Sequence, residues 1–425
     1  MVVRHRLSQA GSVSRPISLQ WVLVGASVVP LIGAVVSVGY FSFKNGQTAV
    51  ENFTWQLLER TSDRVQQQLQ TFLENPKVIN QMNADAIRLG NLSNQKPEQL
   101  TQLFWRRRSL FDQVCGAAMY YGTPDGDFTG IGLQRGKGWR IGRAGQETNR
   151  QYYSYDTNNG KFLALKEKTI PFDARRRPWY QAAIAAKQPV WSPVYPDFAQ
   201  QSAKIALTQP LYDSAGRLQG VLGVDCLLSS VSAYLGRLRI GAAGQTFIVE
   251  RSGALIASSS EEIPFSPTAT RLFAANSPDA LVRTTTAQIE GQVGQIGNVT
   301  RQQRFVFTNA GRQYLVQVTP FAGRYGLDWL VVMVAPASDF MQQVRENARM
   351  TAWLSAAVLA GAIALILYLT RRITEPIRRL SFAAQAIANG QLEQHVQAPR
   401  FTELRLLTEA FNQMTVELRH AFTSL

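Results

Sequence analysis

Between Met350 and Thr370 the chain carries no charged residue, and Arg371 and Arg372 close the run. About twenty such residues are what a single helix needs to cross a hydrocarbon core, so the stretch predicts a membrane span over 350–370. A second apolar run, Ile17 to Phe43, is interrupted only by Gln20 and Pro30. It is too long for a secretory signal core and is followed by FSFKNGQ rather than a small-residue cleavage site, which predicts an uncleaved anchor over 17–43. Arg4, Arg6 and Arg15 flank the first span, and Arg371, Arg372, Arg378 and Arg379 follow the second. The positive-inside rule then puts both termini in the cytoplasm, the basic tail 1–16 included, and residues 44–349 outside. The formal charge of +15 fits the same frame. Its tightest clusters, Arg106 to Arg108 and Arg175 to Arg177, are short and no zinc-finger spacing occurs, so an anionic bilayer surface explains the charge better than nucleic acid does.

Past the second span, Ile373, Ile377, Leu380, Ala384 and Ile387 repeat at four and three, the interval that keeps one stripe of a helix toward a partner. Asn389 and Gly390 supply a helix stop, and a linker with Leu392 and Val396 leads to a second seam at Leu404, Leu407, Phe411, Met414 and Leu418. Two short helices of one period predict a parallel bundle completed by a second copy of the chain, a homodimer. Pro376, the IANGQL turn with Gly390, Glu403 opening the second helix, and AFNQM resemble a HAMP domain over 371–425. That resemblance implies a relay between a membrane helix and a cytoplasmic output domain or partner.

Outside, Val50, Phe53, Leu57, Val65, Leu69 and Phe72 recur at helical spacing up to Pro76, predicting a long amphipathic helix within 44–110 that ends there. A dimer stalk and a helix packed on its own chain's sheets both fit it. FDQVCGAAMYY, TPDG and DFTGIGL read as a hairpin turning at Pro124 to Gly126, and Asp125 with Asp127 reads as turn chemistry rather than a calcium loop. GQTFIVE, RSGALIASS, QRFVFTNAGRQYLVQVTPF and LDWLVVMVA form a second strand set. Each set ends in a hairpin whose last strand runs into a helical segment. The fold class is therefore α+β, with a distal module over 111–235 and a membrane-proximal module over 236–340.

FDARRRPWYQAAIAAKQPVWSPVYPDF lies between the hairpins of the first set. Its Arg177, Pro178, Trp179, Tyr180 element resembles the Arg-x-Trp-Tyr element of double Cache sensor regions, whose two modules are PAS-like. Within that family the subset specialised for amino acids is matched further by Tyr195 and Asp197 in VYPDF and by Asp225 in GVLGVD. The resemblance implies that Arg177 and Trp179 receive a ligand carboxylate, and that Asp225 and Tyr195, with Asp197 and the Tyr180 hydroxyl, receive its ammonium. The chemistry is consistent: a guanidinium gives paired, charge-assisted bonds to a carboxylate, and an ammonium suits a carboxylate and an aromatic face. Phe172 departs from the pattern, standing where the subset has tyrosine. An amino acid, another small polar metabolite or a structural role for the element all fit.

No nucleophile turn, phosphate-binding loop or zinc-protease motif occurs, so no catalysis is expected of this chain. The only histidines are His5, His395 and His420, all on the side assigned to the cytoplasm, which leaves no histidine-bound metal or cofactor outside. Cys115 and Cys226 lie in a compartment that permits disulfides, and a bridge or two buried thiols fit them. The expectation is a two-span inner-membrane receptor for a small ligand, an amino acid first, whose output module is a histidine kinase, nucleotide cyclase or chemoreceptor domain beyond this sequence.

Overall fold

The structure is a computed structural model that describes residues 19–89, 96–111, 116–134, 136–197, 202–260, 265 and 270–423. The basic tail 1–16, Cys115 and the first two positions of the predicted anchor lie outside the described residues. The chain divides into two compact units, Val50–Met341 and a second formed by residues 1–49 with 342–425.

In the first unit, helix α1 (Leu19–Arg88) supplies its part from Val50 onward and α2 (Pro97–Phe111) follows. Phe111 thus closes a helix, where the sequence pattern opens a strand. The distal sheet holds β1 (Gly116–Gly122), β2 (Phe128–Gln134), β3 (Gly138–Ala144), β4 (Gln151–Asn158) and β5 (Lys161–Pro171). After α3 (Pro178–Ala186) it continues with β6 (Val190–Trp191), β7 (Tyr195–Asp197), β8 (Ser202–Tyr212) and β9 (Leu218–Leu227). The order is β5-β4-β3-β2-β1-β9-β8-β6, with β7 also on β8, and every pairing is antiparallel.

Strand alternation sorts the side chains of this sheet into two cores. Met119, Tyr121, Ile205, Leu207, Leu222 and Val224 point into the core made with Val65, Leu69 and Phe72 of α1 and Leu100 and Phe104 of α2. Tyr120, Ala206 and Val221 point the other way, to Trp179, Tyr180 and Ala183 of α3. The candidate site belongs to this second face.

Helix α4 (Leu228–Arg237) leads to the second sheet, made of β10 (Gln245–Glu250), β11 (Leu255–Ser258), β12 (Gln303–Asn309), β13 (Arg312–Ala322) and β14 (Asp328–Pro336) in the order β11-β10-β14-β13-β12. One face packs on α5 (Ala280–Val293) through Val282 and Ile289. The other brings Ile248, Val331 and Met333 into the same core as α1. The Ser62 hydroxyl of α1 donates to Thr319 Oγ1 of β13 at 3.0 Å. Within this unit α1 is therefore packed on the sheets of its own chain.

Helix α1 does not end at Pro76. It runs twelve residues further, to Arg88, because the segment past the proline has a buried face of its own, Ile79, Ala84 and Ile87. An interior proline costs about 3 kcal/mol or more. Burial at about 1.5–3 kcal/mol per large aliphatic side chain, with the Asn80 amide donating to Leu207 O at 2.7 Å, offsets that. Phe53, counted in the sequence stripe, is 60% exposed; Leu58, Val65, Leu69 and Phe72 carry the packing.

The second unit holds the apolar start of α1, helix α6 (Ser338–Ala388) from Gln342 and α7 (Thr402–Thr423). Both α1 and α6 are long and apolar enough to cross a membrane. Pro376 lies inside α6, Gly390 ends it with φ of 90°, and Glu403 sits in the first turn of α7. In the linker Val396 is buried against Leu380, Ala383 and Phe411. The Asn412 side chain fixes it, accepting from Val396 N at 3.0 Å and donating to Val396 O at 2.8 Å.

Candidate functional site

The site is built on β9, β1, β7 and β8, on the sheet face that α3 covers. On β9, Asp225 alternates with the apolar Val224 and Cys226, so it points away from their core and into that of Tyr120 and Trp179. It is 2% exposed. A buried carboxylate must be compensated, and three groups do it. The hydroxyls of Tyr120 and Tyr195 donate to Oδ1 at 2.5 and 2.6 Å. The Lys204 ammonium meets Oδ2 at 2.8 Å and lies 3.9 Å from Asp197 Oδ2.

Register explains the cluster. Asp225 pairs with Ala206 of β8, so Lys204, two residues back, is its diagonal neighbour on the same face. Tyr195 of β7 pairs directly with Lys204, whose ammonium stands 5.3 Å from the Tyr195 ring centre. Tyr120 has glycine opposite it on both neighbouring strands, Gly130 and Gly223. A Cβ on Gly223 would come within 2.2 Å of the Tyr120 ring, and one on Gly130 within 2.4 Å of its Cβ. The two glycines form the slot in which Tyr120 reaches Asp225.

Burial and then the neighbouring Asp225 raise Tyr120 and Tyr195 well above the usual phenol range. Burial, helped by the charges of Asp197, Asp225 and Glu167, pushes the Tyr152 hydroxyl up, to about 12, against the opposing effect of Lys204. For Lys204 burial acts downward, but Asp225 and then Asp197 outweigh it, so its ammonium is held above the ordinary lysine value. At neutral pH the two phenols are neutral and the lysine is charged.

Arg177 sits immediately before α3, with Pro178 at the first helical position, an arrangement proline's fixed φ favours. Its guanidinium stands 5.1 Å from the Phe172 ring centre. No carboxylate, carbonyl or hydroxyl among the described residues accepts a hydrogen bond from it. Trp179 is buried against Tyr120, ring centres 4.6 Å apart, and Gly122 leaves its indole room: a Cβ there would be 2.6 Å from Trp179 Cη2. The neighbouring Arg175 instead binds Asp173 through two nitrogens, and Tyr180 donates its hydroxyl to Thr123 O at 3.3 Å.

Of the residues singled out from sequence, Asp225, Tyr195 and Asp197 gather around Lys204, while Arg177 and Trp179 stand on the α3 side of the same aromatic cluster. Tyr180 joins the packing, its hydroxyl taken by the β1–β2 turn. Sequence reading missed Tyr120 and Lys204. Ala203 and Ile205, both fully buried, point into the α1-side core, so alternation puts Lys204 on the opposite face without showing that this face is covered too. Asp125 and Asp127 lie in the turn, Asp127 paired with Arg150 at 3.1 Å, and no cluster of metal-ligating side chains occurs among the described residues. Cys226 is buried and disulfide-bonded. A separate cavity of about 190 Å³, lined by Lys77, Trp191 and Tyr325 among others, contains none of the site residues.

The chain is similar to several known proteins. The methyl-accepting chemotaxis protein TlpB of Bacillus subtilis is 23% identical over 419 residues, covering 94% of this chain and 52% of its own length. Adenylate cyclase 1 of Rhizobium meliloti is 26% identical over 288 residues, covering 63% of this chain and 42% of its own. The chain thus spans about half the length of these curated relatives. Among solved structures, the ligand-binding domain of the Pseudomonas aeruginosa amino-acid chemoreceptor PctC, in complex with GABA, aligns with a TM-score of 0.44 and 19% identity, over 65% of this chain and 98% of that one. The Cache domain profile matches residues 47–344 and the HAMP domain profile residues 368–420, and the chain belongs to the Cache-domain sensor family, with a HAMP segment following its second apolar helix.

Proposed function

We propose that this chain is the sensing and relay portion of a two-span membrane receptor, anchored in the inner membrane with residues 44–349 outside and both termini in the cytoplasm. The ligand is a small carboxylate-bearing metabolite held in the distal module. The observation that carries this is Arg177: a half-buried guanidinium over an aromatic ring whose donors no described group takes up. A guanidinium fork left open beside buried aromatics is a receptor for a planar anion. Trp179 and Tyr195 shape the pocket, Tyr180 braces it from the β1–β2 turn, and Asp197 and Asp225 set its charge. Amino acids are the ligand class that the sequence resemblance brings to the site, and the carboxylate end of that headgroup is the end Arg177 fits.

Binding biases a receptor only when one conformation binds better than the other. Strand β14 runs directly into α6, so a ligand that favours a closed distal module would bias α6 and, through Pro376, Gly390 and Glu403, the packing of the HAMP helices in a homodimer. The output module lies with a cytoplasmic partner or a further domain. The relatives named above include a chemotaxis receptor and a cyclase, and a histidine kinase fits equally.

The test is a fusion of residues 1–425 to a transmitter of known output. Small carboxylates are expected to change that output, and Arg177→Ala to abolish the response with membrane levels unchanged. A full response in the Arg177→Ala fusion would overturn the assignment.

A further inference from the structure

The carboxylate that would receive a ligand ammonium is largely taken already. Asp225 offers about four lone-pair sites. Two phenol hydroxyls and one ammonium occupy three of them, and that ammonium belongs to the chain itself. Lys204 also stands against the aromatic face of Tyr195 and within 3.9 Å of Asp197. The Lys204 side chain, itself only 18% exposed, thus makes the main contacts an amino group would seek here, an ion pair with Asp225 and the aromatic face of Tyr195. Arg177, in contrast, makes none of the anion contacts open to it. The cluster's cation at Arg177 has no anion partner among the described residues, and its anion at Asp225 has a cation partner in Lys204.

We propose that Lys204 is a built-in occupant of the ammonium position, and that the ligand of this site is a small carboxylate without an amino group, such as a hydroxy or unsubstituted acid. The inference rests on the reading of Arg177 as the carboxylate anchor. An amino acid at this site would bring a second ammonium beside Lys204, or would have to expel Lys204 from Asp225. Either way the like-charge cost works against it, while a hydroxyl or hydrogen at the same carbon brings no such cost. Phe172 fits the same conclusion, since it offers Arg177 a ring and offers a ligand amino group no hydroxyl.

The experiment is calorimetric titration of the full chain in detergent with matched pairs: glycolate and glycine, L-lactate and L-alanine, L-malate and L-aspartate. Within at least one pair the hydroxy acid is expected to bind about a hundredfold or more tightly than the amino acid. In Lys204→Met, which vacates the ammonium position with little change in side-chain length, the preference is expected to collapse to within about tenfold or invert. Circular dichroism checks that this variant is folded. Amino acids binding the wild-type chain as tightly as their hydroxy partners would overturn the inference. If that binding were lost in Arg177→Ala, the anchor reading would stand without it. An unchanged preference in folded Lys204→Met would also overturn it, and no heat from any of the six compounds would overturn both.

Discussion

Asp225 and Lys204 form a buried pair whose partners cannot be removed singly without leaving a charge in a low-dielectric site. Asp225→Asn is expected to destabilise the chain by about 3–5 kcal/mol in denaturant unfolding, more than the lost contact alone would suggest, because Lys204 keeps its charge. The same groups fix the response to alkali. Tyr120, Tyr195 and Lys204 all have folded-state values above their ordinary ones of 10.0, 10.0 and 10.5, so their contribution is complete below those values. As pH rises past them the unfolded chain releases protons that the folded chain retains, and stability falls. The melting temperature is expected to hold through neutral pH and drop above about pH 10, with a shallower drop in Tyr120→Phe. Arg177, Trp179, Tyr195 and Asp225 were legible in the sequence because they fall in short recognisable segments. Lys204 and Tyr120 were not, because their roles depend on which strands lie beside them, and register between β7, β8 and β9 is a long-range fact.

At the scale of elements, the hairpins β1–β2, β8–β9 and β13–β14 could be read from alternation and turn residues, and the stop at Gly390 from its left-handed preference. The extension of α1 past Pro76 could not be read, since the proline signal is local and the burial of Ile79, Ala84 and Ile87 that overrides it is not. Asn80→Ala is expected to cost about 1–3 kcal/mol, measured by thermal unfolding, as it leaves the buried Leu207 carbonyl short of a donor. The slot between β2 and β9 gives a sharper case. Gly223→Ala puts a methyl group into the Tyr120 ring and is expected to cost about 1–3 kcal/mol and weaken ligand binding together. Gly291→Ala, with open space at its Cβ on α5, is the control and is expected to be neutral or slightly stabilising.

For the whole molecule, the sequence conveyed the α+β plan, the paired sensor modules and the relay helices, since membrane spans and heptad seams are patterns of period and length. The second copy of the chain is a proposal that rests on the seams. Leu407 and Met414 of the second seam are 56% and 48% exposed in the single chain, whereas Leu380 is covered by its own linker. Apolar positions repeating at that spacing are expected to meet a partner helix, so Met414→Cys in native membranes should cross-link into a dimer under mild oxidation, and a charged exposed position such as Glu409→Cys should not. The claim on which the rest depends is that Arg177 holds a ligand carboxylate. Calorimetric titration of wild type and Arg177→Asp with the carboxylate that gives the largest response tests it most directly. The account predicts saturable binding in the wild type and none in a variant that melts at the same temperature; equal affinity in the two would contradict it.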